Sequence, residues 1–250
     1  MNNEALVYFL LKIADDDLII GHRNSEWTGL GPILEEDIAF SSMAQDELGH
    51  AYAYYKLLEG LGLGKPDKLA FMRNENEMKC CHLVEYPIGD YSFSLTRNFL
   101  YVYAKQVRIE HLINCSYMPL ARLAKKIKTE LQYHQIHGRT WIEKLGKSTE
   151  EAHLRMQSAI NEALPLAYSL FEPHVLDAQI VSEKVCVSEE DLEKEWESRV
   201  FEILEKAGFS IPTIDKKQHY GGRNAYHTTH LQPLLDEMTA VYRLDPDAEW

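Results

Sequence analysis

The strongest chemical signal in the sequence is the pair Glu47-Leu-Gly-His50. Residues three apart project from one face of a helix, so a carboxylate oxygen and an imidazole nitrogen can meet at one point. Carboxylate-bridged di-iron bundles use this spacing on two helices and take one further acid from each of two others. A second such pair, Glu150-Glu-Ala-His153, falls in the first turn of a helix. Acids suit the helix dipole there, and that pair is read as structural. Glu47 and His50 instead lie mid-helix on an apolar stripe. Burying an unpartnered carboxylate costs on the order of several kcal/mol, so such groups are paired or bind metal. Asp17 makes the same case on the first helix, where it fills a gap in the stripe Leu6, Leu10, Ile13, Ile20. Two readings stand. Either the acids and His50 hold a metal, or they form a buried polar network in which Asp17 accepts from His50 and Glu47 pairs with a cation.

The other half of a di-iron site should come from the third and fourth long helices. The fourth offers His134, with Glu130 four residues before it and His137 three after. Glu130 and His134 could pair as i, i+4 neighbours. The position three before His134 is Leu131. The third helix carries Val102 and Gln106 on its stripe, and its acid, Glu110, lies just off it. Val and Leu cannot ligate iron. The candidate metal set is therefore Asp17, Glu47, His50 and His134, a partial or vestigial site that should not hold two irons tightly.

These side chains need long helices to position them. Apolar residues recur at helical spacing over about 3–23, 33–59, 91–116 and 119–145, with no strand-like alternation. Gly60, Gly62, Gly64 and Pro66 end the second helix, and Gly146 ends the fourth. Between them, 67–89 reads as mixed, with two short helices. Ser148-Thr-Glu-Glu151 predicts a capping box opening a fifth helix that reaches Phe171, interrupted by Pro165. A sixth starts after Ser188 and ends at Gly208, and a last one spans about 229–243. The expectation is one all-α domain over 1–250, a four-helix core at about 3–145 with further C-terminal helices and a tail over 148–250.

Composition bounds the function. A net charge of -13 disfavours nucleic acid and anionic membranes. No apolar run approaches the ~20 residues of a membrane span, and no basic leader precedes the first apolar stretch, so a cytoplasmic protein is expected. Cys80, Cys81, Cys115 and Cys186 form no C-x-x-C pair and read as buried, reduced thiols. Lys125, Lys126 and Lys128 read as a solvated helix face. Thr228 or Thr229 reads as an N-cap for the last helix.

Four stretches carry a resemblance: RNSEWTGLGPILEEDIAF, AQDELGHAYAYYKLLEG, ARLAKKIKTELQYHQIHGRTWIEKLG and, most distinctive, GGRNAYHTTHLQPLLDEM. Over almost its whole length the chain resembles the C subunits of ring-1,2-phenylacetyl-CoA epoxidases. The resemblance implies a ferritin-like bundle and a structural, non-catalytic role. It also implies a partner, the homologous A subunit with its di-iron centre, and a wider complex with an iron–sulfur flavin reductase and a small B subunit. That complex adds one oxygen atom from O2 to the ring of phenylacetyl-CoA. Mapped by motif, the catalytic subunit's ligands fall on Asp17, Glu47, His50 and His134, with Val102 and Leu131 replacing the other two. No cofactor is expected, with room left for a single iron or manganese ion. Homo-oligomers stay open, and Tyr52-Ala-Tyr54-Tyr55 is a candidate docking stretch. The alternative is a stand-alone ferritin-like oxidase or oxygenase using the partial site.

Overall fold

A computed structural model describes residues 3–246, which are helical without a strand. Four long helices dominate: α1 (Asn3–Ser25), α2 (Leu34–Gly60), α5 (Tyr91–Leu112) and α6 (Met118–Gly146). Between α2 and α5 lie α3 (Pro66–Phe71) and α4 (His82–Glu85). After α6 come α7 (Glu150–Ala167), α8 (Asp177–Ser182), α9 (Glu189–Lys206) and α10 (Leu231–Thr239). The chain is all-α, as a ferritin-like bundle requires.

The long helices form two antiparallel pairs, α1 with α2 and α5 with α6. Within the first pair Tyr55 meets Asp15, and a Cβ on Gly21 would touch Leu48. Within the second, Gly138 lies against Phe99. The C-terminal helices are part of the core. α7 and α9 pack on α5, and the buried Trp196 of α9 donates to the Leu100 carbonyl of α5 at 3.1 Å. This leaves α5 buried on nearly all sides, so even Arg97, Asn98 and Lys105 are inside. One apolar cluster runs through most of the bundle, and a smaller one of Trp27, Ala39, Phe40 and Met43 lies at the start of α2.

Three consecutive acids on α1 show how the core is pinned. Successive helical residues are turned by about 100°, so Asp15, Asp16 and Asp17 point three ways. Asp15 takes a two-pronged contact from Arg73. Asp16 takes one from Arg223, at 2.9 and 2.7 Å. Asp17 takes Lys105 at 2.7 Å. Three distant segments are thereby fixed to one turn of α1, and each buried acid has its cation.

Several local expectations shift. The cap of α7 is Thr149, one residue later than the capping box predicted, and its hydroxyl accepts from the Ala152 N–H. Ser188 caps α9 as expected. Pro165 stays within α7, and a 3-10 turn carries the chain on to Phe171. Neither Thr228 nor Thr229 caps the last helix. That position is His230, whose side chain makes no capping bond, while the Thr228 hydroxyl accepts from the His230 N–H. The third long helix ends at Leu112, earlier than expected. The four cysteines are buried and free.

Candidate functional site

Asp17 from α1 and Glu47 and His50 from α2 converge, with their ligand-type atoms within 4.8 Å of one another. At the point where they converge stands Lys105 from α5. Its ammonium donates to Asp17 at 2.7 Å, to Glu47, and to His50 Nδ1 at 2.9 Å. An ammonium has three donors, and all three are used. Tyr101, one helical turn before Lys105, donates to the same Asp17 oxygen. Glu47 thus has its cation. His50 does not donate to Asp17, the pairing expected from sequence, because its Nδ1 accepts from Lys105.

That acceptor role fixes the His50 tautomer. Its Nε2 carries the proton and donates to Glu130 of α6 at 2.8 Å. His134 of α6 reaches back to α2, with Nε2 3.0 Å from Asp46 and Nδ1 3.5 Å from Glu47. The expected Glu130–His134 pair within one helix is therefore replaced by two crossed pairs that tie α2 to α6. The first turn of α2 adds a third tie, with Glu36 accepting from Trp141 Nε1 at 2.7 Å and lying 2.8 Å from His137 Nε2.

The electrostatics follow from burial. Burial drives the Asp17 carboxyl well above its ordinary range, and the charge of Glu47 adds to it, against the pull of Lys105. Burial works on Glu47 in the same sense, but Lys105, His134 and His50 outweigh it and hold the carboxyl well below its usual value. Burial disfavours the charge on Lys105, yet Asp17 and Glu47 raise its affinity for the proton. His134 is raised too, because Glu47 and Asp46 outweigh burial. Glu47 is the anion of the centre and Lys105 its fixed cation.

These residues do not fit a di-iron centre. Val102 and Leu131, which the resemblance sets at the other two ligand positions, are wholly inside the apolar core and offer no ligand atom. Lys105 fills the place where a metal would meet Asp17, Glu47 and His50. The cavity beside Asp17 and Lys105, lined also by Tyr54, Tyr101 and Arg108, is about 30 Å³. That is room for about one water, far below the several hundred Å³ of a small-molecule pocket. Sequence reasoning missed Lys105, although a signal existed. It lies three residues after Val102, and residues three apart share a helix face.

The distinctive tail motif has a structural role. Gly221 has φ +152°, and a Cβ there would lie 2.7 Å from the Tyr226 carbonyl. A Cβ on Gly222 would strike the Cys80 carbonyl oxygen. The two glycines let the tail backbone lie flat on the segment before α4, and Glu172 accepts the Gly221 and Arg223 N–H groups at 2.8 and 3.3 Å. Arg223 then plugs into Asp16 and the carbonyls of Lys79 and Lys12. The His227 side chain is buried against Glu85 at 2.8 Å. The second Glu-x-x-His pair does not close on anything, since His153 Nδ1 turns to the Gly146 carbonyl and its ring stacks on Phe209. Lys126, from the basic run, is exposed and 3.6 Å from Glu130. Tyr52 is exposed, whereas Tyr54 and Tyr55 are core residues. No described helix is long and apolar enough to cross a membrane.

The comparisons agree with this architecture. The sequence is 30% identical over 246 residues to the C subunit of the 1,2-phenylacetyl-CoA epoxidase of Escherichia coli (strain K12), covering 98% of this chain and 99% of that one. It is 28% identical over 148 residues to the A subunit of the same epoxidase, covering 59% of this chain and 48% of that one. All of residues 1–250 match the phenylacetic acid catabolic protein family. The chain belongs to that family.

Proposed function

We propose that this chain is a structural, non-catalytic subunit of a multicomponent phenylacetyl-CoA 1,2-epoxidase in the cytoplasm. Family membership supports a role in phenylacetate catabolism within a multi-subunit epoxidase. The observation that carries the non-catalytic reading is Lys105. An ammonium bonded to Asp17, Glu47 and His50 supplies the positive charge that these ligand-type atoms need, and it cannot bind O2 or change oxidation state. The chain needs no cofactor of its own in this reading. Its partner is a di-iron A subunit, joined in the wider complex by a reductase and a B subunit. Exposed apolar residues on α2 and α6, among them Leu34, Ile38, Tyr133 and Ile136, are suited to a helical contact.

The test is co-expression with an A-type subunit in iron-supplemented medium. The expected result is a complex stable at micromolar concentration, with iron confined to the partner. Two separate monomers would overturn the subunit reading. About two irons in this chain alone, with oxygen consumption and no partner, would establish the other reading. In that case Asp17, Glu47, His50 and His134 serve a stand-alone oxidase.

A further inference from the structure

A second cluster of ligand-type side chains lies at the joint between the tail and the bundle. Cys80 precedes α4, Glu85 ends it, and His227 comes from the tail. Their ligand atoms lie within 4.8 Å of one another, and Cys80 and Glu85 are sealed from solvent. His227 Nδ1 is 2.8 Å from Glu85 Oε1. Cys80 Sγ is 3.8 Å from that oxygen and 4.0 Å from that nitrogen.

The surrounding bonds fix what these atoms can be. His227 Nε2 faces the Met78 carbonyl oxygen at 3.3 Å. A carbonyl only accepts, so Nε2 carries a proton. Glu85 Oε2 accepts from the Thr228 N–H at 2.7 Å. What remains is Nδ1, Oε1 and the sulfur, turned toward one another. With a neutral ring and an ionised carboxylate, Nδ1 and Oε1 are two acceptors in close contact, so a proton or a metal ion stands between them. A proton on the ring or on the carboxyl would serve that pair and leave the Cys80 S–H only a long contact of 3.8 Å to Oε1. A metal ion uses all three.

We propose that Cys80, Glu85 and His227 bind a divalent cation of the zinc class, which fastens the tail to the bundle. Around tetrahedral zinc, edges between sulfur, nitrogen and oxygen ligands are about 3.3–3.6 Å. The three atoms therefore need shifts of only about half an ångström. A thiolate and a carboxylate neutralise a divalent ion, which matters where nothing is solvated. The thiolate selects zinc-class ions over magnesium or manganese. The contacts from Met78 and Thr228 match the outer bonds that orient metal ligands elsewhere. On binding, the Cys80 S–H gives its proton to solvent as the metal–sulfur bond forms, and nothing is oxidised. Because the tail seals the cluster, loading couples to tail docking. This inference does not depend on the function proposed above.

The experiment titrates the full chain, stripped by chelator, first with Co2+ and then with Zn2+. The expected result is one Co2+ per chain, with thiolate-to-metal charge-transfer absorption that Zn2+ displaces. Cys80→Ser and His227→Gln should each weaken binding by about 100-fold. Zinc-edge X-ray absorption on the unaltered, zinc-loaded chain should show one sulfur among nitrogen and oxygen neighbours, which keeps the test independent of how the variants fold. No charge-transfer band, absorption that survives Cys80→Ser, or a shell of nitrogen and oxygen alone would each overturn the site and leave a hydrogen bond between His227 and Glu85 as the link at the joint.

Discussion

Asp16 and Asp17 are adjacent on α1, yet they serve two regions built differently. Asp17 faces the bundle centre, where the cation is a lysine. Asp16 faces the tail joint, where the cation is an arginine. The lysine is a compact charge on a flexible stem, so it enters the space among Asp17, Glu47 and His50 as a metal ion would. The guanidinium is planar and clamps one carboxylate with two parallel bonds. It stays on Asp16 and leaves Cys80, Glu85 and His227 to one another. The same kinds of ligand atom are thus closed at the centre and open at the joint, and the shape of the nearby cation makes the difference.

The largest expected effect breaks the closed side. Lys105→Met keeps the stem and removes the charge, stranding the buried Glu47 anion and taking a donor from Asp17. Removing one partner of a buried ion pair costs about 3–5 kcal/mol, and the upper part of that range is expected here. The urea midpoint reads it. With the ammonium gone, added Mn2+, which the thiolate site at the tail joint does not favour, should raise the midpoint of the variant and leave that of the parent chain nearly unmoved. Equal midpoints for parent and variant would show that the centre does not depend on Lys105.

Arg223→Met should come next, at about 3 kcal/mol. One acid loses its cation, but Asp16 keeps the Cys81 N–H at 2.8 Å. The loss should be local. Limited proteolysis should cut within 209–230 before it cuts the long helices, and simultaneous cleavage of both would remove the distinction between joint and centre.

The two regions also differ in how far the sequence reveals them. The long helices were legible because stripes such as Phe40, Met43, Glu47, His50 and Tyr54 repeat at the period of a helix, and all five are buried. Asp17, Glu47 and His50 stood out because acids on such a stripe need partners. Lys105 did not. Periodicity sees one face of a helix, and α5 is enclosed by α6, α7 and α9 as well as by the centre. The His50–Glu130 and His134–Asp46 pairs were hidden for a related reason. Spacing within α6 favoured Glu130 with His134, and only the packing of α2 on α6 decides otherwise. The tail joint was less legible still. Gly221, Gly222 and Arg223 are distinctive, but their targets lie far earlier in the chain, and no local rule connects them.

Tyr101→Phe sharpens the account of the centre with a smaller change. Asp17 loses one donor and retains Lys105. The cost should be about 1–2 kcal/mol, that of one hydrogen bond to a charged or partly charged group. A loss as large as that from Lys105→Met would mean that the phenol, and not the ammonium, is the main support of Asp17.

The smallest effect is a pH dependence confined to the centre. His134 is raised above the ordinary imidazole value, since Glu47 and Asp46 outweigh its burial. A group raised on folding binds its proton more tightly in the native state. Its contribution is complete below the unfolded value, about 6.5, and is lost as pH rises through the folded value. Stability should therefore fall on the alkaline side of that point. His134→Gln keeps a donor toward Asp46 but cannot take a proton, so its urea midpoint should be flatter from about pH 6 to about pH 9 than that of the parent chain. A parallel fall in both proteins would assign the slope elsewhere. A steeper fall in the variant would mean that His134 is neutral when folded and that Lys105 alone carries the positive charge of the centre.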